Sequence, residues 1–230
     1  MPRKRRPAAV QPKDVTRESE HETQHEKFSP RTREQASLVK LIHNNDLIFV
    51  SGVAGSGKSA VSSAMAADYF LRGLVDKIII SRPIVSAEAN LGILPGEIEN
   101  KTDPYLQPLF IQLSPFIDVR KAIAHGQIQV IPVGFMRGLT FINSFIVIDE
   151  AENLTMHQLK LVVTRFGENS KMILNGDTTQ SDLCHYHQND FADFIKRVEP
   201  LSLNPDNRIG IADLKQSVRH PLVQTILSVF

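Results

Sequence analysis

The chain has 230 residues, 42% hydrophobic and 22% charged, enough for one domain of about 150–200 residues with a sizeable core plus a tail. Lys and Arg number 26 against 25 Asp and Glu, a formal net charge of +1, which excludes a uniformly basic polymer binder and makes any nucleic-acid contact local. The single cysteine, Cys184, excludes an internal disulfide framework and points to a reducing compartment, with the cytoplasm as the expected location.

Residues 1–28 read as a disordered basic tail. Up to Lys27 they hold seven basic residues (Arg3, Lys4, Arg5, Arg6, Lys13, Arg17, Lys27), five acids and no aromatic, too little apolar surface to order a segment. Arg3–Arg6 suit either a mobile arm touching phosphates or a solvated tail. No hydrophobic segment follows this basic start, and no apolar run reaches the ~18–20 residues of a membrane helix, so a soluble, unprocessed chain is expected. Residues 29–230 read as one α/β domain in which short β-rich runs alternate with helical patterns, the signature of a mostly parallel sheet flanked by helices. Strands are expected at Leu47–Ser51, Lys77–Ser81, Ile128–Ile131, Phe145–Asp149, Met172–Asn175 and Ile209–Ala212, and their Ile, Val and Leu content suits strands covered on both faces. Helices are expected near 32–43, 58–72, 104–117, 155–166, 190–198 and 218–229.

Between the first strand and the second helix lies Gly52-Val53-Ala54-Gly55-Ser56-Gly57-Lys58-Ser59, which fits G-x-x-x-x-G-K-[ST] in the required strand–loop–helix order. Glycines let successive backbone N–H groups turn inward around a polyphosphate, and the helix behind them presents its positive end. Lys58 would reach the β and γ phosphates and Ser59 would coordinate magnesium. Farther on, the apolar run Phe145–Ile148 ends in Asp149-Glu150, two carboxylates at the sheet edge where ligands of parallel sheets bind. Asp149 is the candidate magnesium ligand, and Glu150 the candidate base that polarises water for in-line attack on the γ phosphate. The next strand runs into Gly176-Asp177-Thr178-Thr179-Gln180, a turn that could aim the Gln180 amide at the terminal phosphate, although Gly-Asp is also an ordinary turn pair. Cys184, His185 and His187 invite a zinc reading, but no zinc site is expected, because a structural site normally draws four ligands and no second cysteine exists.

Together these motifs resemble the PhoH-like family of phosphate-loop ATPases, relatives of superfamily-one helicases. The similarity covers about residues 30–230 and includes Ser81–Pro83, Leu91–Gly96, Asp103–Leu109, Phe135–Gly138, Asp149–Asn153 and Val218–Val223. The resemblance implies a single RecA-like P-loop NTPase domain binding ATP and magnesium, with Gln35 as the adenine-reading glutamine and Arg219 as the arginine that stabilises the transferring phosphoryl group. It also implies a homo-oligomeric ring, a hexamer, in which Arg219 or Arg137 reaches across an interface. RNA or single-stranded DNA is the implied partner, with Arg82 and Arg137 as candidate contacts. Three departures stand out. The family usually has Gln in place of Glu152 and a second arginine in place of Leu139, and it often has a Pro and a Ser-Gly where Cys184–His187 follow Asp182-Leu183.

Three functions fit the motifs. The first is ATP hydrolysis coupled to rearrangement of nucleic acid. The second is phosphoryl transfer to a small metabolite, disfavoured because no arginine-rich lid segment is seen. The third is a nucleotide-gated assembly protein with slow hydrolysis. Base stacking would rest on the 12 phenylalanines or on arginine planes, since tryptophan is absent and tyrosines number three.

Overall fold

A computed structural model describes residues 28–83, 98–178, 189–227 and 229. Gln180 and the Cys184-His185-Tyr186-His187 stretch, like the expected tail up to Lys27, lie outside the described residues. The chain forms α1 (Arg33–Asn44), β1 (Leu47–Gly52), α2 (Lys58–Leu71), β2 (Lys77–Ser81), α3 (Ile98–Leu113), α4 (Val119–Ala124) and β3 (Ile128–Val130), then β4 (Ser144–Ile148), α5 (Met156–Val163), β5 (Lys171–Asn175), α6 (Asp190–Ser202), β6 (Ile209–Leu214) and α7 (Pro221–Leu227).

The six strands form one sheet in the order β3-β2-β4-β5-β1-β6, and every neighbouring pair is parallel. The α/β expectation therefore holds, with the sheet wholly parallel. Strand alternation explains why the runs are apolar throughout. Ile48, Val50, Ile78, Ile80, Phe145, Val147 and Ile173 enter the core on one face with α1, α2, α3 and α4. Phe49, Ile79, Ile146, Ile148, Met172 and Leu174 enter the other with α5 and α6. A strand buried on both faces needs no polar alternate, so periodicity collapses into a continuous hydrophobic run.

Small residues place α2 deepest. Ser62, Ser63, Ala64, Ala66 and Ala67 are all buried, which lets the helix lie between the sheet and its neighbours α1 and α3. Ser62 Oγ donates to Asn175 Oδ1 at 3.0 Å, tying that helix to the end of β5. The expected helices are present, and α4 is an addition. It is six residues long with only Val119 and Ala122 buried, too short for a periodic signal, and Asp118 caps it by accepting from the Lys121 N–H at 3.0 Å. The third helix begins at Ile98, ahead of Pro104 where the expected helix starts.

Parallel strands put all their carboxyl ends on one edge, so β1, β2, β4, β5 and β6 deliver Gly52, Ser81, Ile148, Asn175 and Leu214 to the same side. The opposite edge is structural: Lys171 is 5% exposed, lies 3.3 Å from Asp46 and sits over the Tyr69 ring, 5.3 Å from its centroid.

Candidate active site

Backbone geometry builds the phosphate loop. Gly55 and Gly57 adopt φ of 78° and 91°, left-handed values that L side chains rarely take. A Cβ at Gly55 would come within 2.6 Å of Arg219 Cγ, and one at Gly57 would run into the Gln35 amide. Gly57 caps α2 with no side-chain hydrogen bond, so the amides of the first turn face the loop's concavity rather than a capping oxygen. The loop is pinned from outside: Val53 N–H donates to Leu214 O at 3.0 Å and Val218 N–H to Gly55 O at 2.9 Å.

Two side chains hold the loop's shape. Gln35 is 3% exposed. Its Nε2 donates to Ser56 O at 2.9 Å, and its Oε1 accepts from the Arg31 N–H at 2.8 Å. Both ends of the amide are thus engaged within the chain, each keeping one further donor or acceptor position. Lys58 Nζ donates to Gly52 O at 2.5 Å and to Val53 O at 3.2 Å. Burial holds its pKa below the usual lysine value, against the pull of Asp177, Glu152, Asp149 and Asp213. Ser56 is 1% exposed, and its buried Oγ has no hydrogen-bond partner among the described residues. Val53 is exposed, and Ala54 is half-buried.

The sheet order sets the acidic half. Since β5 separates β4 from β1, Asp149 reaches the loop across the end of β5. Ser59 Oγ donates to Asp149 Oδ1 at 2.7 Å, and Asn175 Nδ2 approaches the same oxygen at 3.4 Å. The two expected magnesium ligands therefore share one hydrogen bond. One hydroxyl and one carboxylate are hard oxygen donors, suited to an ion that takes its remaining ligands from phosphate and water.

Glu150 has φ 54° and ψ 44°, an uncommon conformation for a residue with a side chain. Its Oε1 forms an ion pair with Arg82 Nη2, the side chains being 32% and 20% exposed. Glu152, in the 3-10 turn after β4, lines the same site. Desolvation pushes its carboxyl up to about 7, opposed by its own and the Asp177 backbone N–H and by Lys58, and reinforced by Asp149. Glu152 was visible in the sequence only as an odd residue in Asp149-Glu150-Ala151-Glu152; the third acid in four residues was the available signal. Asp213, which accepts from Ser51 Oγ at 2.8 Å, and Asn175 carried none beyond standing at strand ends.

Arg219 lies over Gly55 of its own chain, so the structure brings it to the loop without a neighbour. Arg137 is exposed in the loop after β3, as is Phe135.

These features have counterparts in known proteins. A family model described as PhoH-like protein matches residues 27–230. The chain is 38% identical over 206 residues to a PhoH-like protein of Synechocystis sp., covering 87% of this chain and 61% of that one. It is 36% identical over 207 residues to Protein PhoH of Escherichia coli K12, covering 87% and 57%. It thus spans about 60% of the length of these curated relatives. The structure of the large terminase from a thermophilic bacteriophage matches with a TM-score of 0.54 at 9% identity, over 87% of this chain and 50% of that chain, a likeness of fold. With a phosphate loop, an acidic strand end and a family match running from residue 27 to 230, the chain belongs to the PhoH-like family of P-loop NTPases.

Proposed function

We infer that the protein binds ATP with magnesium and hydrolyses it, and that turnover drives rearrangement of, or translocation along, RNA or another single strand. The observation that carries the nucleotide reading is the 2.7 Å bond between Ser59 and Asp149. It joins the phosphate loop to the acidic strand end, with Lys58 and Glu150 beside them. An arriving triphosphate would draw the Lys58 ammonium from the Gly52 and Val53 carbonyls, and the buried Ser56 hydroxyl suits a phosphate oxygen as its partner. Ser59 and Asp149 would hold magnesium, which when bound offsets charge on the phosphate oxygens.

Glu150 would orient a water and accept its proton as the water oxygen bonds to the γ phosphorus. The bond to the bridging oxygen then breaks and ADP leaves. General-base assistance of this kind is worth roughly 10²–10⁴ in rate. Arg219, already on the loop, would neutralise charge on the transferring phosphoryl group from within its own subunit, a role worth ~10³–10⁵ elsewhere. Gln180 would sense the γ phosphate, and Gln35 would read adenine through the amide positions not committed to Ser56 and Arg31.

The strand-binding reading is supported by the exposed Phe135 and Arg137 in the loop that leaves the same sheet edge after β3, a ring and a cation of the kind that stack on bases and meet phosphates. The ring reading, with six subunits as the family resemblance suggests, is supported by α7. Directly after Arg219 this helix exposes Leu222, Val223 and Ile226, and Val229 follows it, so subunit contact would touch the residue next to the nucleotide.

A turnover assay with ATP and magnesium, run with and without RNA and DNA strands and paired with an unwinding readout, tests the proposal. The expected result is phosphate release without added metabolite, faster with single-stranded RNA. Turnover that requires a small acceptor would instead assign phosphoryl transfer, and hydrolysis unmoved by any strand would favour the assembly protein.

A further inference from the structure

The ion pair between Arg82 and Glu150 gives the site a control that the motifs do not state. Strand register creates it. In the β2–β4 pairing Ser81 stands opposite Ile148, and the Asp149 N–H donates to Ser81 O at 2.9 Å, so the residues just past each strand end meet. Backbone geometry holds the acid in place: Glu150 sits in the left-handed region, and its carbonyl accepts from the Asn153 N–H at 3.0 Å.

A guanidinium paired with a carboxylate occupies one of its acceptor sites and, by stabilising the charged form, makes the group a poorer acceptor of a proton from water. The guanidinium is planar, always charged, and presents a fork of donors that fits a phosphodiester as well as it fits a carboxylate. Arg82 keeps part of its side chain exposed at the edge where the strand-binding loop after β3 also begins. Two anions can therefore compete for one cation, Glu150 from inside and a strand phosphate from outside. Partly exposed pairs exchange at small cost, a factor of a few in an equilibrium.

We propose that Arg82 is a positioning residue that withholds Glu150 from the attacking water until the phosphodiester backbone of a bound single strand takes the guanidinium. This rests on the ATP-hydrolysing reading of the same site. Strand binding then frees the base, and hydrolysis accelerates without any movement of the phosphate loop. Linkage makes the effect reciprocal: whatever strand binding loses in displacing Glu150, removal of the Glu150 charge must return to strand affinity.

The experiment measures kcat and KM for ATP on the full chain with magnesium, with and without oligouridine RNA or oligothymidine DNA. It compares wild type, Arg82→Ala, Arg82→Lys and, as a surface-charge control, Arg120→Ala on α4. Fluorescence anisotropy gives strand affinity for wild type and Glu150→Gln. Arg82→Ala is expected to raise the strand-free kcat about threefold to tenfold, to leave KM for ATP within about twofold, and to lose strand stimulation. Arg82→Lys, which keeps the charge but not the fork, should fall between, and Arg120→Ala should match wild type. Glu150→Gln should bind the strand about threefold to tenfold more tightly than wild type. The inference is overturned if Arg82→Ala is stimulated by strand as strongly as wild type, or if its strand-free kcat is at or below the wild-type value. Glu150→Gln settles the matter alone should Arg82→Ala not fold: unchanged or weaker strand affinity contradicts the exchange. Wild type that hydrolyses ATP at a strand-independent rate overturns the inference alone, whereas wild type that hydrolyses no ATP under any condition overturns the proposed function beneath it.

Discussion

At the scale of single residues, the two neighbouring acids after β4 and the third that follows have separate environments, which supports the separate roles proposed for them. Asp149 is 7% exposed and bonded to Ser59; Glu150 faces Arg82 and, in part, water. Glu150→Gln should keep ATP binding and lower kcat by about 10²–10⁴, read by phosphate release beside a nucleotide-binding titration; normal turnover would remove Glu150 from the base role. Burial moves the titration of Glu152 toward neutrality. Desolvation holds its folded pKa near 7 against an ordinary 4.5, so the folded chain binds a proton that the unfolded chain has released. Its contribution to stability is full below about 4.5 and is lost as the pH rises through about 7. Glu152→Gln cannot ionise, and should match wild type near pH 4.5 yet exceed it by up to about 3 kcal/mol at pH 8. Urea denaturation without nucleotide or magnesium measures this, and parallel pH dependences in the two proteins would contradict it.

At the scale of elements, stability concentrates where both sheet faces are covered. Phe145 is wholly buried and meets the Tyr69 ring edge-on at 5.4 Å. Phe145→Ala should cost about 3–5 kcal/mol, measured as a lower denaturation midpoint with an unchanged slope; a loss under about 1 kcal/mol would mean that β4 is not central. What sequence could show at this scale follows from distance along the chain. The phosphate loop is made of local backbone, so its spacing alone announced Gly52–Ser59 and the helix behind it. The four inner strands were legible because burial on both faces leaves an apolar run between turn residues, and the half-covered edge strands β3 and β6 because short β-branched runs stand between turns. The meeting of Arg82 with Glu150 was not legible, since it depends on the β2–β4 register. Nor was the Arg219 position, which needs β6 beside β1 and the Val218-to-Gly55 bond. Gln35 was singled out by resemblance, and its side chain meets the loop at Ser56 O. Its anchoring of Ser56 depends on how α1 packs, which no local pattern encodes.

At the scale of the whole molecule, one sheet edge collects the chemistry and the other the structural Lys171–Tyr69 cluster, so changes for stability and for turnover can be made separately. No helix among the described residues is long and apolar enough to cross a membrane. The apolar residues exposed along α7 predict self-association: light scattering on a sizing column in ATP and magnesium should give a ring mass, and Ile226→Glu should reduce it. A monomer for wild type under those conditions would contradict the ring. Beneath the proposed hydrolysis, strand coupling and assembly alike lies the proposed grip of a triphosphate by the loop amides and Lys58. Calorimetric titration of ATP with magnesium into wild type and Lys58→Ala tests it most directly. Saturable binding by wild type, weakened at least ~100-fold by the substitution, equivalent to about 3 kcal/mol, is the expected result. No binding by folded wild type, or equal affinity in the two proteins, would contradict it.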